Sequence, residues 1–176
     1  AFSLGTKYVF GTETPFYASF DTNNSCNLRC HGCDFPILLE RGVLGKDPAV
    51  DTLEDRLNKL HDAFDSMLIV FAGFEPTVRK DLSRIIKAAD VHHYAGIVTN
   101  GTLVTTELAK AYWGAGLKFA SVSIPSFDNA RFLQIIGADQ HPRLKQLGLE
   151  RVKESIEILM ETAPPTKFVT ITATFD

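Results

Sequence analysis

Five short apolar runs alternate with stretches of helical periodicity, and that alternation restricts the folds open to the chain. Ala18-Ser19-Phe20-Asp21, residues 67–72, Ile97-Val98-Thr99, Phe119–Ile124 and Phe168–Ala173 are of strand length. The second run is apolar throughout, as expected for a strand in a parallel sheet covered by helices. Between the runs, apolar residues recur at helical spacing. They are Leu53, Leu57, Leu60 and Phe64; Leu82, Ile85, Ile86 and Ala89; Leu108, Ala111, Tyr112 and Ala115; and Val152, Ile156, Leu159 and Met160. Strand alternating with helix predicts parallel βαβ units with right-handed crossovers. The fold class is therefore α/β, as an open doubly wound sheet or a barrel-like arc of about five parallel strands.

Local signals set further expectations. Tyr8-Val9-Phe10, ended by Gly11, predicts a lead-in strand. Thr52-x-x-Asp55 predicts a capping-box start for the first helix. Pro36, Gly42, Gly45 and Pro48 predict an irregular segment before it. Residues 128–136 predict a short extra helix. His92-His93 is expected on the surface, at the end of the sheet away from the loops discussed next.

All three cysteines lie in one eight-residue stretch, Cys26-Asn27-Leu28-Arg29-Cys30-His31-Gly32-Cys33, spaced C-x3-C-x2-C. A disulfide framework fails on count, because three is odd. Three thiolates on one loop form a soft anionic site that selects iron–sulfur clusters or zinc over hard cations. A Cys3His zinc site would borrow His31, His61, His92 or His93. A [4Fe–4S] cluster ordinarily takes four cysteines, so here one iron would lack a protein ligand. Cys26, Cys30 and Cys33 are the candidate metal ligands.

In either α/β arrangement, ligands gather at the carboxyl ends of the strands. The cysteines follow the first strand, Gly73-Phe74-Glu75-Pro76 the second and Asn100-Gly101 the third, while Ser123 closes the fourth. Four loops distant in sequence are thus expected on one rim.

On these residues the chain resembles the radical S-adenosylmethionine (AdoMet) enzymes. C-x3-C-x2-C with Asn27-Leu28-Arg29 inside it is similar to that family's cluster loop. Gly73-Phe74-Glu75-Pro76 resembles its Gly-Gly-Glu-Pro segment, and Thr99-Asn100-Gly101-Thr102 its Thr-Asn-Gly-Thr. Ser121-Val122-Ser123-Ile124 resembles its fourth-strand segment. The resemblance runs from about Ala18 to the C-terminus. It implies an incomplete (β/α) TIM-like barrel with five strands where the family usually has six. Cys26, Cys30 and Cys33 would bind a [4Fe–4S] cluster, and its open iron would chelate AdoMet. Reductive cleavage would yield a 5′-deoxyadenosyl radical that abstracts hydrogen from a substrate. The resemblance further implies that Glu75, with the backbone of Gly73 and Phe74, holds the AdoMet amine. Asn100 and Ser123 would contact its ribose or carboxylate end, and Gly32 would lie beside the adenine. The chain departs from the pattern at Gly32, where the family usually has an aromatic residue, at Phe74, where it has glycine, and at Pro125-Ser126. A degenerate member that binds a cluster or zinc without cleaving AdoMet is the alternative these departures leave open.

Composition adds exclusions and partners. With 45% hydrophobic and 22% charged residues, the 176-residue chain is expected to be one radical AdoMet core domain, 1–176. It would lack the last strand and any C-terminal domain, so a longer natural chain or a partner chain would close the barrel. The net charge of −3 and the absence of a basic run suggest no nucleic-acid partner. No run nears the ~18 apolar residues of a membrane span. Clustered cysteines argue for a reducing compartment, taken as the cytoplasm. The expected partners are a flavodoxin- or ferredoxin-like one-electron donor and an unidentified substrate.

Overall fold

The computed structural model describes residues 16–64 and 68–173. Five strands form one sheet: β1 (Tyr17–Asp21), β2 (Leu68–Ala72), β3 (Tyr94–Thr99), β4 (Phe119–Ile124) and β5 (Phe168–Ala173). Every neighbouring pair is parallel, and the spatial order is β1-β2-β3-β4-β5. That order decides between the two architectures left open above. A doubly wound sheet reverses direction at a switch point. Here each crossover steps the same way, which makes an arc of a (β/α) barrel. The lead-in strand at Tyr8-Val9-Phe10 lies outside the described residues.

Six α-helices connect the described strands: α1 (Asp34–Glu40), α2 (Val50–Phe64), α3 (Leu82–Asp90), α4 (Thr106–Gly114), α5 (Asn129–Ile135) and α6 (Leu149–Thr162). The core lies between them and the outer face of the sheet. Ile69 and Phe71, Ala95 and Ile97, and Ala120 and Val122 point into it at alternate strand positions. Leu53 and Leu57 of α2, Ile85 and Ile86 of α3 and Val152 of α6 meet them there. The inner face of the arc stays open. A cavity of about 560 Å³ lies along it, lined by Val70, Val98, Ser121 and Thr170 above a floor of Tyr94 and Phe119.

Several local expectations are corrected. The segment at Pro36 is not irregular but helical, as α1, with Pro36 in the first turn, where a missing N–H costs nothing. Helix α2 starts at Val50 rather than at a Thr52 cap. The Thr52 and Leu53 amides donate to the carbonyl of Ala49, so Thr52 already lies inside the helix. In α4 the buried stripe is Ala109, Tyr112 and Trp113, whereas Ala111 is exposed. Met160 of α6 is exposed, and Ser155 takes the buried position. His93 is not on the surface: it is 5% exposed, and its Nε2 donates to the Leu57 carbonyl at 3.2 Å. His92 stacks on His61 with ring centroids 3.9 Å apart.

Candidate metal and cofactor site

The cysteine loop leaves β1 at its carboxyl end and is fixed residue by residue. Leu28, in the middle of the C-x3-C segment, is buried in the main core and anchors the loop from below. Asn27 reaches across to the end of β3. Its Nδ2 donates to Thr102 Oγ1 at 2.8 Å, and its Oδ1 accepts from Asn100 Nδ2 at 3.0 Å. Thr102 closes the triangle, donating through N and Oγ1 to Asn100 Oδ1 at 2.9 and 2.7 Å. Arg29 Nη1 donates to the carbonyls of Cys26 and Leu28. The amides of Arg29 and His31 donate to the carbonyls of Ile136 and Ile135 at the end of α5. Gly137 allows that approach: a Cβ there would stand 2.3 Å from the Arg29 carbonyl oxygen, and its φ is +85°.

The three cysteines are free thiols. Cys26 and Cys30 pack against the core, and Cys33 is exposed. The Leu28 amide donates to Cys26 Sγ and the Phe35 amide to Cys33 Sγ, each at 3.4 Å. Burial pushes the Cys26 thiol up to about 12 and the Cys30 thiol up to about 11. Without a cation, the Cys26 and Cys30 thiols therefore hold their protons near neutral pH. A metal must displace those protons, and its charge offsets the desolvation that raised them. Three soft donors on one loop have the donor chemistry that a thiophilic metal takes, and among the described residues no three such side chains are yet gathered closely enough to hold an ion. The His31 Nε2 is paired with Asp139, 3.0 Å from its Oδ1.

Glu75 is the most enclosed charge of the site, 1% exposed. Its carboxylate accepts from Thr77 N and Thr77 Oγ1, from Thr99 Oγ1 at 2.7 Å and from Asn100 N at 2.7 Å. Burial raises its pKa, and these donors oppose the rise. The carboxylate is thus committed to tying the end of β2 to the end of β3. Of the Gly73-Phe74-Glu75 segment, Gly73 is exposed and Phe74 half-buried. Gly73 has φ +98°, and a Cβ there would lie 2.8 Å from Asp21 Oδ1, so β1 and β2 meet at this point. The Phe74 ring packs on Phe35 of α1 with centroids 4.8 Å apart.

The remaining expected residues fall on the same rim. Asn100 is engaged with Asn27 and Thr102, as described. Ser123 is half-buried at the carboxyl end of β4, paired in register with Thr172. Gly32 is exposed with φ +78°, and nothing stands within 4 Å of where a Cβ would be. The left-handed backbone explains glycine in place of an aromatic residue there. A cavity of about 340 Å³ opens beside Cys30, Cys33, Ile37 and His141.

Sequence reasoning missed several residues that build the site. Asn23, 2% exposed, donates through Nδ2 to the carbonyls of Ser25 and Glu75. Arg79 pairs bidentately with Asp81, with Nε and Nη2 each at 2.8 Å, and its Nη1 donates to the carbonyls of Thr22 and Pro48. Arg151 of α6 donates to the carbonyls of Thr102 and Val104. Asn27 and Thr102 stood inside recognised motifs, but nothing in one sequence signals that they pair. Among the described residues, no helix is long and apolar enough to cross a membrane.

The chain is similar to known proteins over most of its length. The PqqA peptide cyclase of Bradyrhizobium diazoefficiens is 29% identical over 133 residues, covering 75% of this chain and 34% of that protein. The GTP 3′,8-cyclase of Stenotrophomonas maltophilia is 32% identical over 160 residues, covering 85% and 48%. The chain thus spans about half or less of the length of these curated relatives. Among solved structures, Streptococcus suis SuiB bound to S-adenosylmethionine superposes with a TM-score of 0.65 at 17% identity, covering 96% of this chain and 35% of that one. The profile of the Radical SAM superfamily matches residues 21–174, nearly all of the described sheet and every loop of the rim, and the chain belongs to that superfamily.

Proposed function

We propose that residues 1–176 form a radical AdoMet catalytic core whose cluster is held by Cys26, Cys30 and Cys33. One observation carries the reading. Three free cysteines, two of them desolvated, sit on a loop bonded through Asn27 to the end of β3 and through Asn23 to the end of β2. When bound, a [4Fe–4S] cluster and AdoMet supply one-electron reductive cleavage to methionine and a carbon radical that takes a hydrogen atom from substrate. The electron comes from an external one-electron donor. The protein's own part is positioning and exclusion of water.

In this reading the backbone of Gly73, Phe74 and Glu75 presents polar groups to the AdoMet amine. Asn100 and Ser123 face its ribose or carboxylate end, and Gly32 borders the adenine. Glu75 acts through Thr77, Thr99 and Asn100 as a positioning residue. The relatives are named for a peptide and for a nucleotide, and one fold hosts many substrates. Substrate choice is accordingly assigned to residues outside the shared segment. A further strand, from the same polypeptide or a partner, would pair with β5, where Phe168 and Ile171 are 48% and 50% exposed.

The test is anaerobic reconstitution with iron and sulfide, reduction, addition of AdoMet, and mass spectrometry for 5′-deoxyadenosine and methionine. Both products are expected, and Cys30→Ala is expected to abolish the cluster's visible absorbance. A cluster without AdoMet cleavage would favour the degenerate reading, whose support is the departures at Gly32, Phe74 and Pro125. No cluster would sink both.

A further inference from the structure

The segment after β2 grips the cysteine loop at both ends, and a side chain absent from the family pattern makes the second grip. At the entry of the loop, the Glu75 amide donates to the Ser25 carbonyl at 3.2 Å, and Asn23 Nδ2 donates to the Glu75 carbonyl at 3.0 Å. Both bonds use only the backbone of Glu75, so they do not depend on the side chain at 75. At the exit, the contact is the Phe74 ring on the Phe35 ring, tilted by 54° at 4.8 Å. Phe35 stands two residues beyond Cys33, is 3% exposed, and its amide donates to Cys33 Sγ. The Arg29 guanidinium lies 5.1 Å from the same ring centroid and holds the carbonyls of Cys26 and Leu28. A glycine at 74 could not make the contact with Phe35, and the ring that Arg29 also packs on would lose that neighbour.

The exit needs an external hold. Cys26 and Cys30 pack against the core, whereas Cys33 is exposed. Helix α1, which follows it, has seven residues and buries only Phe35. So short a helix has little stability of its own, and its packing decides its order.

We propose that Phe74 is a positioning residue: through Phe35 and Arg29 it holds the exit of the cysteine loop, with Cys33, against the segment that faces the AdoMet amine. This rests on the AdoMet reading of the site. The departure from glycine is then a gain of a clamp rather than the decay of a binding segment.

Phe74→Gly and Phe74→Leu test it with two readouts. The first is amide hydrogen exchange of the cluster-free chain. An aromatic pair is worth enough to change a local opening equilibrium by about threefold to tenfold. Phe74→Gly is expected to speed exchange at residues 35 and 37–40 by that factor and to leave residues 24–26 unchanged, with Phe74→Leu between. The second is the electron paramagnetic resonance signal of the reduced cluster, titrated with AdoMet. The concentration giving half the spectral change is expected to rise by a similar factor in Phe74→Gly. Exchange and titration both at parent values would overturn the proposal, and so would exchange that quickens equally at both ends of the loop. A parent chain with no cluster signal would instead defeat the functional reading, while the exchange comparison still decides the clamp. Should Phe74→Gly not fold, Phe74→Leu and Phe35→Leu are read the same way, and parent values in both would overturn it.

Discussion

Replacing Glu75 by glutamine keeps the shape of the side chain and changes only what its oxygens can accept. The carboxylate takes three hydrogen bonds on Oε1, from Thr77 N, Thr77 Oγ1 and Thr99 Oγ1, and one on Oε2 from Asn100 N at 2.7 Å. Desolvating a carboxylate costs several kcal/mol, and four bonds to a charged acceptor at about 1.5–3 kcal/mol each are of a size to offset it. Glutamine must place its amide nitrogen on one of the two oxygens. The cheaper choice keeps oxygen at Oε1 and sets N–H against the Asn100 N–H. That forfeits one charge-assisted bond and leaves the Asn100 amide without its acceptor, at about 1–3 kcal/mol for the orphaned donor alone. The three surviving bonds weaken because their acceptor is neutral, and relief of desolvation returns part of the loss. The net expectation for Glu75→Gln is a loss of about 2–4 kcal/mol. Urea unfolding of the cluster-free chain measures it, as a lower midpoint at unchanged slope. Hydrogen exchange at Asn100 should rise more than at the centre of β3. A loss under about 0.5 kcal/mol would refute the network as drawn, because a surface substitution does no more. A stabilised variant would mean that desolvation outweighs all four bonds.

Three other outcomes follow from the same geometry. Gly137→Ala puts a methyl against the Arg29 carbonyl in a left-handed backbone, and about 1–2 kcal/mol for the conformation alone is expected before the clash is counted. Thermal unfolding and iron content after reconstitution should both fall, and a variant with parent values would contradict the close approach of α5 to the cysteine loop. Asn27→Ala removes one bond to Thr102 and one to Asn100, so about 1–3 kcal/mol is expected in urea unfolding, and Asn27→Asp should recover part of it through Thr102 Oγ1 and Asn100 Nδ2. Burial, with lesser contributions from His61 and His92, holds the His93 pKa below the usual value near 6.5. The folded protein then binds fewer protons than the unfolded chain, so stability is full above that value and is lost as pH falls from it towards the depressed one. His93→Gln should flatten this part of the stability–pH curve, and an unchanged slope would refute the assignment.

Much of the architecture was legible because it rests on short-range pattern. Residues 67–72 are apolar without break and of strand length, the pattern of a strand in a parallel sheet packed under helices. The helices announced their inward faces by spacing, though not without error. Ala111 and Met160 satisfied the spacing yet lie exposed, because the arc's neighbours, not the helix itself, decide which edge of an apolar stripe is covered. Helix α1 was missed because Pro36 reads as a breaker, while in a first turn it breaks nothing. His93 was misplaced for a similar reason: two histidines beside a turn look solvated, and only the approach of α2 buries one of them.

For the site, the division has one physical source. The sequence by itself determined which groups exist and where along the chain they stand: three thiols within eight residues, glycines where the backbone must turn left-handed, and polar residues at the carboxyl end of each apolar run. Parallel topology then brings such ends together whatever their sequence separation, so the rim could be foreseen. Only the tertiary structure decided how those groups are used. A carboxylate that reads as a ligand is enclosed by four donors, two asparagines 73 residues apart share a bond, and a phenylalanine out of pattern finds a ring on α1. Each of these depends on contacts of a few ångströms between segments that no local propensity relates. Pattern sets the order of the parts, and close packing sets their partners.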